Sequence, residues 1–452
     1  MHSDEHQTNR RTFLQIAGAA LGGTLLSRGS AAAQAPAAAK NANPLFAAPP
    51  MSEVRIGFVG VGGQGGSHVR NMLRVPGARI TAICDIVPER VALMQKMVVE
   101  AGQKEPAGYS RGPRDFERLC DSQDVDLVFN ATPWEWHVPV CASAMKKGKH
   151  AAVEVPAAMT LDECWELVEL AEKHRRHCAM MENCNYGRSE MMVFNMVRKG
   201  IFGEVLHAEG GYLHDLREIK FSNRGEGLWR RTWASKMNAN LYPTHGLGPV
   251  ANCMDINRGD RFEYLVSMAG PSRGLQDWAR EHFPEGSPQR SEKYVLGDVN
   301  VSLIKTARGR TIYVSHDTNL PRPYSRIHLV QGTKGLFQGY PDRVYVEGRG
   351  KPHQWQEAKA YLDEFDHPLW SELTRKAEGA GHGGMDYLED YRLIKCLLDG
   401  TPTDMTVYDA AALSAVVQLT DRSNARRSAA VDFPDFTRGK WQTTPPLGIV
   451  TA

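Results

Sequence analysis

An apolar strand that runs into a glycine-rich turn limits the fold of this chain more than any other feature. Residues 54–59 lead directly into Gly60-x-Gly62-x-x-Gly65, a helix-like stretch follows, and Asp85 ends the next apolar strand about twenty residues later. In such a unit the glycines let the backbone approach a pyrophosphate at the positive end of the helix. The acid accepts hydrogen bonds from ribose hydroxyls and disfavours a 2′-phosphate. The motif therefore predicts a dinucleotide site and favours NAD over NADP.

The N-terminus carries the pattern of an export signal. Asn9-Arg10-Arg11-Thr12-Phe13-Leu14 precedes a small-residue apolar run over 16–26, and Ala33-Gln34-Ala35 supplies a small-x-small cleavage site. The twin-arginine route carries folded proteins, so we expect the mature protein in the periplasm or at the cell exterior. Because the periplasm offers no pool of free nicotinamide nucleotide, such a protein would fold around its cofactor and keep it. This favours a reaction without net redox change.

Strand-like and helix-like segments alternate from residue 54 to about residue 175, which is typical of a doubly wound parallel sheet. Longer strand-like stretches follow without regular helices between them, and strongly helical sequence returns at 386–399 and 407–424. We therefore predict an α/β Rossmann domain followed by an α+β domain with a mostly antiparallel open sheet. The predicted segments are a twin-arginine signal peptide (1–35), a disordered tether (36–50), an NAD-binding domain (51–178) and a substrate-binding, catalytic domain (179–452).

The composition excludes several classes of partner. A chain of 452 residues with 42% apolar and 23% charged residues supports two globular domains. The net charge is +2 and no basic run contains interleaved aromatic residues, so neither nucleic acid nor, for the mature chain, a membrane is an expected partner. The eight cysteines contain no C-x-x-C pair. We favour buried free thiols, although an oxidising compartment would permit a bond between Cys178 and Cys184.

The segment from Asn130 to His137 lies at the carboxyl end of a later strand. Ligands of open α/β sheets gather at those ends, so its position favours contact with the cofactor. Asn130 or Thr132 could instead cap the helix that follows, and Trp134 could be a core aromatic residue.

The fingerprint, the Glu154-Val155-Pro156 turn and the long second domain resemble the glucose–fructose oxidoreductase and inositol dehydrogenase superfamily. Its members usually carry Glu-Lys-Pro at this turn, where the lysine assists hydride transfer at a sugar hydroxyl. This chain has Val155 at that position. The resemblance therefore disfavours an ordinary sugar dehydrogenase mechanism.

Further strings are similar to one branch of that superfamily, glycoside hydrolase family 109, whose founding activity is α-N-acetylgalactosaminidase. The most specific string is Leu241-Tyr242-Pro243-Thr244-His245-Gly246-Leu247-Gly248-Pro249, and the resemblance extends from residue 54 to about residue 440. The other matching stretches are 130–137, 154–157, 181–188, 211–217, 229–230 and 382–387.

The resemblance implies a set of site residues. The cofactor contacts, together with the fingerprint glycines, are Gly60, Gly62, Gly63, Gln64, Gly65, Asp85, Trp134, His137, Glu154, Val155 and Asn183. The substrate contacts are Tyr212, Arg230, Tyr242, Pro243, Thr244, His245 and Tyr324. The family often has a bulky residue and an arginine where this chain has Gly63-Gln64, so we expect a difference in cofactor grip or substrate choice.

The resemblance also implies a redox-neutral glycosidase rather than one built on a pair of carboxylates. In this chemistry NAD transiently oxidises the sugar at carbon 3, the aglycone leaves by elimination, water adds, and carbon 3 is reduced again. His245 is the best candidate for the general base because histidine titrates nearest neutrality. Tyr242 and Tyr186 are candidate catalytic partners, and Arg230 is suited to hold a sugar oxygen or enolate charge. The expected partner is a glycoside with a terminal N-acetylhexosamine.

Simpler structural interpretations stay open. His245 could bond only to backbone, the tyrosines could be packing residues, and Arg230 with Arg231 could form a solvated pair. The alternative functions are a periplasmic sugar oxidoreductase with tightly bound NAD(P) and a non-catalytic sugar-binding protein. We expect no metal site because the histidines lack a spacing such as H-E-x-x-H. A homodimer is possible by analogy with the superfamily.

Overall fold

The computed structural model describes residues 47–452. The predicted signal peptide and most of the tether lie outside the described residues. No helix in the described range is both long enough and apolar enough to cross a membrane. All eight cysteines are free and buried, in agreement with the favoured interpretation.

The first sheet has six parallel strands in the order β3-β2-β1-β4-β5-β6, which is the doubly wound Rossmann arrangement. Helices cover both faces, so the inner strands over Leu127–Asn130 and His150–Val153 are buried along their whole length, and their only polar residues are Asn130 and His150 at the strand ends. The prediction of a parallel α/β domain is confirmed. Its elements are β1 (Val54–Val59), α1 (Gly63–Met72), β2 (Ala78–Cys84), α2 (Pro88–Glu100), β3 (Ala107–Tyr109), α3 (Phe116–Asp121), β4 (Leu127–Asn130), α4 (His137–Lys146), β5 (His150–Val153), α5 (Leu161–His174) and β6 (Cys178–Met180).

The second sheet has nine strands in the order β14-β13-β12-β11-β7-β10-β9-β8-β15. Every pair is antiparallel except β7 with β10, so the prediction of a mostly antiparallel sheet is also confirmed. Its strands are β7 (Val205–Leu213), β8 (Phe262–Ala269), β9 (Val299–Thr306), β10 (Thr311–Asp317), β11 (Leu329–Gly332), β12 (Gly335–Gln338), β13 (Arg343–Val346), β14 (Gln356–Glu357) and β15 (Val431–Asp432). The helices of this part of the chain are α6 (Arg188–Arg198), α7 (Arg217–Phe221), α8 (Gly227–Lys236), α9 (Thr244–Cys253), α10 (Gly274–His282), α11 (Pro288–Ser291), α12 (Lys359–Phe365), α13 (Pro368–Ala377), α14 (Met385–Asp399) and α15 (Val407–Ala425).

The helices between β7 and β9 differ from the expectation of strands joined without regular helices. Helix α9 contains Gly246, Gly248 and Pro249, residues that ordinarily argue against a helix. Here Gly246 is needed for packing, because a Cβ atom at this position would lie 2.1 Å from the backbone nitrogen of Gly211 on β7. The glycines thus let α9 lie directly on β7, which places the first residues of α9 beside the end of that strand.

The two sheets share structural support. Helix α14, although late in the chain, packs on α1 of the first sheet. Tyr387, Leu388 and Ile394 of α14 belong to the same buried cluster as Ile56 and Phe58 of β1. The C-terminal part of the chain therefore completes the core behind the glycine-rich turn.

Candidate active site

The glycine-rich turn has the geometry that a dinucleotide requires. A Cβ atom at Gly65 would lie 2.0 Å from the carbonyl oxygen of Gly60, so the turn closes only with glycine. A Cβ atom at Gly63 would meet no atom within 4 Å, so the start of α1 faces open space. The first turn of α1 has neither an acid nor a capping side chain, and its N–H groups are available to an anion. These residues fit a bound pyrophosphate.

Asp85 fastens the end of β2 to the same turn. Its two carboxylate oxygens each accept a hydrogen bond of 2.9 Å, one from the backbone N–H of Val61 and one from that of Val87. Each oxygen keeps a further lone pair, so the buried carboxylate can still accept from a ribose hydroxyl. Its negative charge at this place fits NAD.

Acids of α14 position three of the predicted cofactor residues, two of them directly and one through His68. Asn183 Nδ2 donates to Asp386 at 2.7 Å, and Gln64 Nε2 lies 3.4 Å from the same carboxylate. Glu154 pairs with His68 at 2.8 Å, and His68 in turn contacts Asp390 at 2.8 Å. Burial alone would lower the pKa of His68, but the two carboxylates outweigh it and hold that pKa well above its usual value. This network fixes side chains that would line the cofactor.

The segment that begins at Asn130 is tied to the turn after β5. Trp134 Nε1 donates to the carbonyl oxygen of Val155 at 3.2 Å. His137 is buried, with its ring nitrogens 2.7 Å from the carbonyl oxygen of Pro156 and 2.8 Å from that of Thr132. The imidazole of His137 therefore connects the loop to the turn after β5, and its tautomer decides which of the two carbonyl oxygens accepts its N–H.

Most of the predicted substrate residues form one aromatic cluster. The rings of Tyr212, Tyr242 and His245 lie with their centroids 4.5 to 5.4 Å apart. Tyr324 joins at 6.1 Å from Tyr212. The guanidinium of Arg230 lies 4.8 Å from the ring centre of Tyr242. We call these five residues the aromatic cluster, and Pro243 and Thr244 lie between two of its members at the start of α9.

Trp134 connects the aromatic cluster to the cofactor edge. Its ring centre lies 5.9 Å from that of Tyr242, and the guanidinium of Arg230 lies 5.1 Å from the same ring. The cluster therefore lies beside the carboxyl edge of the first sheet, where ligands of this fold bind.

Glu182 is a partner of His245 that sequence reasoning missed. Its carboxylate is fully buried, with oxygens 2.8 and 3.1 Å from Nδ1 of His245. Burial would raise the pKa of Glu182, but the contact with His245 lowers it below its usual range. An ionised carboxylate on Nδ1 orients the ring and leaves Nε2 free to take a proton. The only sequence signal was a glutamate inside the apolar stretch Met180-Met181-Glu182.

The expectation of no metal site needs one qualification. Donor atoms of Glu182, Cys184 and His245 lie within 4.8 Å of one another and could hold an ion. The chain separation of these residues resembles no common ligand spacing, so this group could not be predicted from the sequence. Because Glu182 and His245 are in close contact, these two side chains form a carboxylate–imidazole pair.

The structure does not bring Tyr186 into the aromatic cluster. Its hydroxyl donates to Asp404 at 3.0 Å, and Asp404 is also held by Arg392. The ring packs in the core behind the first sheet. Burial first, and then the charge of Asp404, raise the pKa of Tyr186 well above its usual value. Its contacts are those of a packing residue with a satisfied hydroxyl.

Tyr242 is in place, but its environment does not suit a base. Burial raises the pKa of its hydroxyl well above its usual value, and the charge of Arg230 offsets this only in part. Tyr212 is affected in the same way, with a pKa raised to about 12. Both hydroxyls are therefore neutral and serve as hydrogen-bond donors or acceptors.

Two buried bases beneath the cluster were not predicted. Lys220 donates to Thr318 Oγ1 at 2.7 Å and to Asn319 Oδ1 at 2.6 Å, and no carboxylate pairs with it among residues 47–452. Burial, and then the charge of Arg230, lower its pKa to about 7. His316 on β10 stands opposite Tyr212 on β7, and burial holds its pKa well below its usual value.

Comparisons with known proteins match two parts of the chain to two family models. Residues 186–443 match the family model described as glycosyl hydrolase 109, C-terminal domain, and residues 54–182 match that of an oxidoreductase family with an NAD-binding Rossmann fold. A glycosyl hydrolase family 109 protein of Shewanella amazonensis is 49% identical, with 98% of this chain and 99% of the relative covered. An α-N-acetylgalactosaminidase of Shewanella oneidensis is 46% identical, with 99% and 100% covered.

Solved structures support the fold. A levoglucosan dehydrogenase in complex with NADH and levoglucosan superposes with a TM-score of 0.65 at 18% identity, over 84% of this chain and 100% of that one. An inositol dehydrogenase homologue from Azotobacter vinelandii complexed with NAD⁺ gives a TM-score of 0.62 at 19% identity, over 87% and 100%. At these identities the likeness establishes the architecture alone.

Proposed function

The chain belongs to glycosyl hydrolase family 109, and on that premise we propose that it is an α-N-acetylgalactosaminidase that works with a bound, non-consumed NAD. The observation that carries the proposal is the position of Trp134, which touches both the Val155 turn of the Rossmann edge and the aromatic cluster. A sugar bound among Tyr212, Tyr242 and His245 would therefore lie against the cofactor.

The residues of the Rossmann edge fit NAD. The start of α1 would hold the pyrophosphate, Asp85 the adenosine ribose, and Glu154, Val155 and Asn183 the nicotinamide half. When bound, NAD would supply reversible hydride acceptance at carbon 3 of the sugar, which acidifies the hydrogen on carbon 2. Asp85 favours NAD over NADP because its charge repels a 2′-phosphate.

The residues of the second domain would move the protons. His245 would take the proton from carbon 2 on Nε2, while Glu182 stabilises the imidazolium that results. Arg230, fixed by Glu226 at 2.5 Å and by the rings around it, would bind oxygen atoms that gain negative charge. Tyr212 and Tyr242, as neutral hydroxyls, would position the sugar.

The test is hydrolysis of an aryl α-N-acetylgalactosaminide in deuterated water, with purified protein and no added cofactor. We expect release of the sugar with deuterium at carbon 2, and loss of that release in His245→Ala. His353→Ala, a substitution at an exposed histidine, is the control and should retain activity. Release without deuterium at carbon 2 would contradict the elimination. An oxidised sugar product would instead indicate a sugar oxidoreductase, and binding without turnover a sugar-binding protein.

Export to the periplasm or cell exterior by the twin-arginine route is also our proposal. It rests on Arg10-Arg11 and on the small residues Ala33 and Ala35. The exported protein should begin at residue 36, and replacing both arginines by lysine should retain the chain in the cytoplasm. An exported protein that still begins at Met1 would contradict the cleavage site.

We further propose that the protein is a homodimer. Tyr264, Met268 and Leu303 are exposed large apolar residues on the neighbouring strands β8 and β9. Such a group on the open face of a sheet is typical of a protein contact. Analytical ultracentrifugation should find a dimer that Leu303→Lys converts to a monomer, and a monomeric wild type at micromolar concentration would refute this.

A further inference from the structure

Three donor side chains of different chemistry meet at the imidazole of His245. The carboxylate of Glu182, the thiol of Cys184 and the ring of His245 place their donor atoms within 4.8 Å of one another. Glu182 and Cys184 are buried, and the side chain of His245 is 13% exposed. The group therefore adjoins the solvent through the ring that belongs to the aromatic cluster.

The donor set favours zinc over harder cations. Thiolate and imidazole bind zinc well, whereas magnesium and calcium prefer sets made of oxygen atoms. In a tetrahedral site with bonds of about 2.0–2.3 Å, neighbouring donor atoms lie roughly 3.3–3.6 Å apart. Glu182 Oε1 and His245 Nδ1 lie 2.8 Å apart, and all donors of the group are within 4.8 Å of one another. Side-chain shifts of about 1 Å would therefore produce the zinc geometry.

Zinc would replace the proton of the thiol. The thiol of Cys184 donates to Oδ1 of Asn183 at 3.4 Å, and burial raises its pKa well above its usual value, so it is neutral without an ion. Zinc binds the thiolate, and the proton is released to solvent. The thiolate and the carboxylate of Glu182 then balance the two charges of the ion, which lowers the cost of burying it.

An ion at this place would disable His245 as a base. Nδ1 is the ring nitrogen that faces Glu182, at 2.8 and 3.1 Å from the two carboxylate oxygens. A metal ion bound to that carboxylate therefore meets Nδ1. A neutral imidazole that binds a metal through Nδ1 carries its hydrogen on Nε2. The nitrogen that would accept the proton from the sugar then has no lone pair to accept it.

We propose that Glu182, Cys184 and His245 form an inhibitory zinc site, in which the ion binds Nδ1 of His245 and keeps the hydrogen on Nε2. The inhibition rests on the proposed glycosidase function, but the binding of the ion does not. The other members of the aromatic cluster are not ligands, so the sugar can still bind when the ion is present.

Two cysteine variants separate this site from other thiols. Cys184→Ser keeps a hydroxyl that can donate to Asn183 but removes the thiolate donor. Cys253 at the end of α9 is also a buried free thiol, but it lies outside the donor group. Cys184→Ser is therefore the test variant and Cys253→Ser the matched control.

The values of kcat and KM are measured on an aryl α-N-acetylgalactosaminide, with EDTA-treated protein and with a molar excess of ZnCl₂. We expect zinc to lower kcat at least tenfold in wild type and in Cys253→Ser, with KM changed less than twofold. Zinc should lower kcat of Cys184→Ser less than twofold, and MgCl₂ should not lower that of wild type. Equal zinc inhibition of Cys184→Ser, or a rise in KM at unchanged kcat, would overturn the assignment.

Cobalt binding tests the site without turnover. Co²⁺ occupies tetrahedral zinc sites and gives a charge-transfer absorption band in the near ultraviolet when a thiolate binds it. We expect Co²⁺ to produce this band in wild type and in Cys253→Ser but not in Cys184→Ser, and added Zn²⁺ should abolish it. If the band appears but no glycoside is hydrolysed, the metal site stands and the glycosidase proposal fails. Absence of the band in wild type would refute the metal site.

Discussion

The cofactor side and the substrate side of the candidate site each bury a basic side chain, but only the one on the cofactor side lies between carboxylates. On the cofactor side, His68 is fully buried between the carboxylates of Asp390 and Glu154, which raise its pKa. On the substrate side, Lys220 is almost as deeply buried, but its partners are the neutral oxygens of Thr318 and Asn319, and its pKa falls to about 7. Carboxylates compensate the charge of His68, and none compensates that of Lys220.

The difference matches what each side would have to do. A closed network of charges such as that around His68 rigidifies the residues in it, which suits a cofactor that stays bound. A buried cation without a carboxylate partner, such as protonated Lys220, provides a field that stabilises negative charge developing during a reaction. That field costs stability, because burial disfavours a lone charge.

The largest expected effect is at Glu182, a buried carboxylate that pairs with a base on the substrate side. Glu182→Gln keeps the shape of the side chain but removes the negative charge that faces Nδ1 of His245. We expect kcat to fall by about 10²–10³, within the range for a general base that loses its activation. The NAD content of the purified protein should not change, because Glu182 is outside the α14 network.

The control is Glu364→Gln, which removes an exposed carboxylate that pairs with Arg349. Because exposed ion pairs contribute little, we expect a loss of less than fivefold there. Equal losses in the two variants would show that burial of Glu182 confers no special role. Steady-state kinetics on an aryl glycoside measure both.

The next effect concerns the free energy of unfolding and its dependence on pH. The folded pKa of Lys220 is about 7, below an unfolded value near 10.4, so between these values the unfolded chain binds more protons. The penalty for burying Lys220 is complete below pH 7 and fades as the pH rises. Lys220→Met should therefore stabilise the protein most below pH 7, and its advantage should shrink by about 2 kcal/mol between pH 7 and pH 9.

Chemical denaturation of wild type and Lys220→Met at pH 6, 7, 8 and 9 measures this difference. Comparing the two proteins at each pH cancels the titration of all other groups. An advantage that stays constant from pH 6 to pH 9 would mean that Lys220 is protonated in the folded state throughout, and the contrast with His68 would fail.

A smaller effect is expected on the cofactor side. Asp386 accepts from Asn183, and its carboxylate also lies within hydrogen-bond distance of Gln64 and His382. Asp386→Asn replaces one acceptor oxygen by a donor, so these side chains lose their fixed positions. We expect NAD to bind about tenfold more weakly, equivalent to one charge-assisted hydrogen bond.

Absorbance and mass measurement of NAD released from the denatured protein give its content. Added NAD should restore kcat in Asp386→Asn. Asp399→Asn, at an exposed acid near the end of the same helix, should keep its cofactor. Unchanged NAD content in Asp386→Asn would show that α14 plays no part in cofactor retention.

The sequence predicted those features that depend on local pattern. The strand, the glycines and Asp85 lie within about thirty residues, and their spacing alone specifies the first βαβ unit. Helix α9 was not predicted, because glycines within a short segment ordinarily indicate a loop. Their purpose is contact with β7, about thirty-five residues away in the chain.

The candidate site shows the same division. The resemblance predicted Tyr212, Tyr242 and His245 together, and they are adjacent in the structure. The partners behind them were not predicted, because Glu182 and Lys220 come from distant segments and function through burial. Burial and pairing are properties of the folded chain that no spacing encodes.

The smallest expected effect separates the two tyrosines that the sequence treated alike. Tyr186→Phe and Tyr242→Phe are the same chemical change at two buried positions. Asp404, the partner of Tyr186, keeps its ion pair with Arg392, so Tyr186→Phe should cost about 1 kcal/mol of stability. Its activity should stay within twofold of wild type. Tyr242→Phe should lower activity at least tenfold, because that hydroxyl belongs to the cluster around His245.

Kinetics and thermal unfolding of both variants make the comparison. A loss of activity in Tyr186→Phe as large as in Tyr242→Phe would return Tyr186 to the reaction and extend the site across the first sheet.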